Sequence, residues 1–62
     1  MTTSPAELGS IATQVRDLAE RVSRAGDDLN RSPTEDVASA LYEADRALRT
    51  AVRAMDRAAG LL

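Results

Sequence analysis

Four arginines, Arg46, Arg49, Arg53 and Arg57, recur at steps of three and four, the spacing that gathers side chains on one face of a helix. Such a stripe can follow a phosphate backbone, and it is the chain's candidate for nucleic-acid contact. It is more often a solvated face. Here Asp45 and Asp56 lie close by, and the lysines, stacking aromatics and basic tail that favour nucleic-acid binding are missing. Carboxylates pair at Asp27-Asp28 and Glu35-Asp36, and the second pair suits the positive start of a helix. Serine and threonine hydroxyls are present, but no histidine, cysteine or lysine stands ready to activate them, so no enzyme is expected. The same absences remove the usual zinc ligands and the Glu-x-x-His element of di-iron bundles. Gly9, Gly26 and Gly60 are too widely spaced for a phosphate-cradling loop. We therefore assign no catalytic residue, metal, cofactor or small-molecule substrate.

The elements that carry these residues are two helices. Ser4-Pro5-Ala6-Glu7 is a strong helix start, with Ser4 to cap, Pro5 at the first position and Glu7 to reach back. The same grammar recurs at Ser32-Pro33-Thr34-Glu35. After the first start, Leu8, Ile11, Val15, Leu18, Val22, Ala25 and Leu29 alternate in steps of three and four, the pattern of a helix with a packed seam. After the second, Val37, Leu41, Ala44, Leu48, Ala51, Met55, Ala58 and Leu62 do likewise. The reading is one all-α unit over residues 1–62: helix 1 over about 5–30, a turn at about 30–32 and helix 2 over about 33–60. Gly26, Asp27 and Asp28 argue for an earlier stop of helix 1, whereas Leu29 keeps the seam in phase and Asp27 and Arg31 are four apart; continuation to about Asn30 is favoured.

So short a connection forces the helices antiparallel, giving a two-helix hairpin with a coiled-coil-like seam. One register lays Leu18 on Leu48, Val22 on Ala44 and Leu29 on Val37, and every layer is apolar. Another, shifted by a heptad, lays Val22 on Val37 and would follow an early stop at Gly26.

The 62 residues contain no cysteine and so no disulfide, and a chain of this length buries little surface alone, so oligomerisation or a partner is expected. Helix 2 is wider in its apolar face than one neighbour can cover, with Ala40, Ala47, Ala54 and Leu61 on one flank and Ala38, Val52 and Ala59 on the other. Ala40, Tyr42, Ala47, Val52, Ala54, Met55, Ala59, Leu61 and Leu62 are accordingly the expected protein interface. Tyr42, the single aromatic, is either an anchor for a partner or a cover for the turn end of the hairpin. Alanine is also the best helix former and fills exposed positions without further meaning. The expected role is a non-enzymatic interaction module, a hairpin that self-associates as a dimeric four-helix bundle and serves as an assembly, adaptor or accessory subunit. The alternatives are a small subunit of a larger helical protein and, less favoured, nucleic-acid binding through the arginine stripe.

A two-helix chain of this size invites comparison with the secreted WXG100 hairpins, but it has no tryptophan, hence no Trp-x-Gly turn, and Arg46 stands four residues after Tyr42 where that family's export signal is acidic. Helix-turn-helix readers need a third helix. All eight basic residues are arginine and alanine is abundant, a composition expected of a GC-rich bacterium. Charges of both signs alternate to a net −2, which implies no polyanionic partner. Met1-Thr2-Thr3-Ser4 has no basic or apolar leader character and no span is apolar enough for a bilayer, so the expectation is a cytoplasmic protein.

Overall fold

A computed structural model describes residues 2–62; Met1, the first residue of the stretch read above as leader-free, lies outside the described residues. The chain is a hairpin of two helices, α1 (Pro5–Leu29) and α2 (Glu35–Leu61), packed along their length. No helix is long and apolar enough to cross a membrane among the described residues.

Helix α1 starts as its residues dictate. The Glu7 amide donates to Ser4 Oγ at 3.1 Å, and Pro5 occupies the first turn. It runs through Gly26 to Leu29, as favoured. What allows this is a set of partners for its last carbonyls. The Asn30 amide donates to the Asp27 carbonyl at 3.4 Å, the Arg31 guanidinium donates to the Asp28 carbonyl at 2.8 and 3.2 Å, and the Arg31 amide donates to the Leu29 carbonyl at 2.8 Å. A cation at this end also complements the helix dipole.

Helix α2 begins two residues later than the repeated Ser-Pro-x-Glu grammar predicts. Ser32 and Pro33 lie in the turn, joined by a cis peptide bond, and Thr34 is the N-cap. Thr34 is taken up by the preceding helix: its hydroxyl lies 2.7 Å from the Leu29 carbonyl and 3.0 Å from that of Arg31, and its amide donates to the Arg31 carbonyl at 2.7 Å. No side chain caps α2. The turn therefore closes α1 first.

The axial register is the longer of the two expected. Gly26 stands against Tyr42 and Arg16 against Asp56, which excludes the heptad-shifted pairing of Val22 with Val37. The rotation of the helices about their own axes differs from expectation. Leu18 and Leu48 do not form a closed layer, since Leu18 is 47% exposed. The buried residues are instead Ala12, Ala19 and Gly26 on α1, and Ala38 and Val52 on α2. Small side chains at heptad spacing let the backbones approach closely, and that contact wins over stacking the larger residues.

Candidate interaction face

The line of closest contact divides the hairpin into two faces. On α2 it follows Ala38, Asp45, Val52 and Ala59, at heptad spacing. Arg16 follows buried Ala12 by four residues and Asp27 follows buried Gly26 by one, so both lie on the same side of α1. Tyr42 and Asp56 follow Ala38 and Val52 by four, on the corresponding side of α2. These sides meet: Arg16 Nη2 lies 3.6 Å from Asp56 Oδ2, and the Tyr42 hydroxyl donates to Asp27 Oδ1 at 2.7 Å. One face of the hairpin is therefore polar.

Residues that precede the contact line by one or four turn the other way on both helices, and they share the opposite face. On α1 these are Leu8, Ile11, Val15, Leu18, Val22 and Ala25, with Leu29 at the end. On α2 they are Val37, Leu41, Ala44, Leu48, Ala51, Met55 and Ala58. No charged residue interrupts either row. Ile11, Leu18 and Val37 are 43, 47 and 48% exposed, and no large side chain is fully buried among the described residues. Of the residues expected to form the seam within one hairpin, Ile11, Leu18 and Val37 are thus open, while Leu8, Val15, Val22, Leu29, Leu41, Leu48 and Met55 stay half-buried beside the line of contact.

The expected interface residues fall in three places. Val52 is 5% exposed and is spent on the contact between the helices, a correction to its expected place on a free flank. Tyr42 is half-buried, its ring against Gly26; Met55 is half-buried beside the contact line and Ala59 half-buried on it. Ala40, Ala47 and Ala54 are exposed along the outer edge of α2, continued by Leu61 and Leu62 at 88 and 70% exposure. Ile11, Leu18 and Val37 were not expected there. Their signal was the three-four pattern itself, assigned to the inside of the hairpin.

The arginine stripe borders the polar face. Arg46 and Arg57 are exposed, Arg49 Nε lies 2.9 Å from Asp45 Oδ1, and Arg53 donates to Thr50 Oγ1 at 3.1 Å. Arg16, Arg49, Arg53 and Asp56 rim a shallow open depression floored by Val52. Carboxylates are interleaved with its guanidiniums. The phenol of Tyr42 is shifted above its ordinary value chiefly because its proton is shared with Asp27, with desolvation and the Asp27 charge acting the same way and Asn30 opposing.

The chain matches no family model, no curated protein and no solved structure.

Proposed function

We propose that this chain is a non-enzymatic interaction module, a helical hairpin that self-associates through its apolar face into a four-helix bundle and acts as an assembly, adaptor or accessory subunit. The observation that carries the reading is the open row of Ile11, Leu18 and Val37 on a face without charge. The surface area supports it. The hairpin exposes 4509 Å² for a mass of 6.6 kDa, about 600 Å² more than the roughly 3900 Å² of a compact monomer of that mass. Each 200 Å² of apolar surface taken from water contributes about 5 kcal/mol, which is comparable to the whole stability of a small domain.

Sedimentation velocity and thermal melting over a wide concentration range test this. The expected result is a dimer whose melting midpoint rises with concentration. A cooperatively melting monomer with a concentration-independent midpoint overturns it. Poor helicity in isolation, restored by a second protein, would instead favour the small-subunit alternative. Nucleic-acid contact has less support, because Asp45 already pairs with Arg49 of the stripe and Asp56 lies beside Arg49 and Arg53 in the depression they rim.

A further inference from the structure

We infer that the occupant of the apolar face is a second copy of the chain placed with its turn at the same end, so that α1 of each copy packs on α2 of the other. This rests on the self-association proposed above and specifies its geometry. The hairpin is about 48 Å long and 15 Å wide, a footprint of the same order as the roughly 800 Å² that each partner gives to a standard interface.

Side-chain size then distinguishes the two symmetric ways of closing the bundle. The outer apolar row of α1 carries the bulky Ile11 and Leu18 and then Ala25, whereas that of α2 carries Ala44, Ala51 and Ala58 after Val37 at the turn end. Counted from the Gly26–Tyr42 contact, Leu18 comes level with Ala51 and Ile11 with Ala58, to within one residue. A two-fold axis parallel to the helices preserves these levels and sets Ile11 and Leu18 of one copy against Ala58 and Ala51 of the other, with Ala25 against Ala44 nearer the turn. Large against small fills the layers at an even spacing between helices.

With the turns at opposite ends, α1 would face α1 and α2 would face α2. Leu18 would then come against Leu18 of the other copy on one side and Ala51 against Ala51 on the other, which splays the first pair of helices and leaves the second underfilled. That arrangement also brings Glu7 of one copy toward Asp28 of the other along the outer edge of α1, where like charges repel. The same-end arrangement avoids the like-charge approach and the large-on-large layer, and keeps small against small only where Ala25 meets Ala44.

The absence of cysteine makes the test direct. Ser32→Cys in the exposed turn and Thr3→Cys before α1 supply single labelling sites, and circular dichroism checks that each variant keeps its helicity. Turns at the same end predict a distance between spin labels at position 32 on the order of 10 to 20 Å, one or two interhelical spacings, and ready disulfide cross-linking of the Ser32→Cys dimer. Turns at opposite ends predict about 40 Å, the length of a 27-residue helix, with cross-links between Ser32→Cys and Thr3→Cys chains. A dimer with the long distance overturns the arrangement and leaves self-association standing. A monomer at every concentration overturns both.

Discussion

Tyr42 lays its ring directly on Gly26: a Cβ built on that glycine would lie 2.8 Å from Tyr42 Cε1 and 3.1 Å from Cδ1. The glycine that weakens α1 by propensity is thus the residue that lets α2 bring its single aromatic against the backbone. The cost in helix formation is repaid by a close contact and by the hydrogen bond from Tyr42 to Asp27 beside it.

Gly26→Ala should therefore destabilise the hairpin although alanine is the better helix former. Displacing a rigid ring costs about 1 to 3 kcal/mol, against a propensity gain of about 1 kcal/mol, for a net loss of about 1 kcal/mol. In a Tyr42→Leu background the same substitution should become stabilising, since the flexible side chain can move aside. Thermal melts of the two single variants and the double variant check the sign reversal.

The raised pKa of Tyr42 predicts a loss of stability at alkaline pH. Below the ordinary tyrosine value of about 10 the phenol is protonated in both states and its hydrogen bond to Asp27 is intact. Above that value the unfolded chain ionises first and binds fewer protons than the folded one, so stability falls as pH rises toward the folded pKa. Absorbance titration of the phenolate should give a midpoint above the ordinary one, and Asp27→Ala should bring it back. A midpoint insensitive to Asp27 would contradict the geometry.

Leu18→Glu separates the two roles of the apolar rows. Leu18 is about half exposed in the single hairpin, so the change should leave the helicity of the isolated chain nearly intact, while a charge buried in the bundle interface should abolish association. Sedimentation of the variant should show a monomer at concentrations where the parent is dimeric. Ala47→Glu, on the exposed outer edge of α2, should interfere less.

At the helix ends, Thr34→Val removes the hydroxyl that bridges to the Leu29 and Arg31 carbonyls while keeping its shape. A hydroxyl has one hydrogen to donate, so the expected cost is that of one hydrogen bond, about 0.5 to 1.5 kcal/mol. Ser4→Ala should cost about 1 kcal/mol through loss of the α1 cap. Chemical denaturation with an unchanged slope checks both. Ser32→Ala should be silent, because the Ser32 side chain caps neither helix.

Much of the hairpin is legible before folding is considered. Ser4, Pro5 and Glu7 announce the start of α1, and the chain follows them. The second helix starts two residues beyond the point to which Ser-Pro-x-Glu directs, because that grammar reads the same whether or not a neighbouring helix end competes for the threonine within it. Tyr42 reads from the sequence either as an anchor for a partner or as a cover for the turn end, and its partners Gly26 and Asp27 are 16 and 15 positions away along the chain, where no local pattern connects them.

The three-four spacing of apolar residues, with the helix-start residues and the short connection between them, determined two antiparallel helices, their lengths to within a turn and the composition of a charge-free face. It left the rotation of each helix open, because Leu8, Val15, Val22 and Leu29 belong equally to a stripe through Ile11 and Leu18 and to one through Ala12, Ala19 and Gly26. Periodicity reports which residues are apolar, not how near two backbones can come. Packing decided between the stripes: the row of small side chains on α1 allows the closer approach, so Ala12, Ala19 and Gly26 went inside while Ile11 and Leu18 turned outward to the face where a second chain is expected.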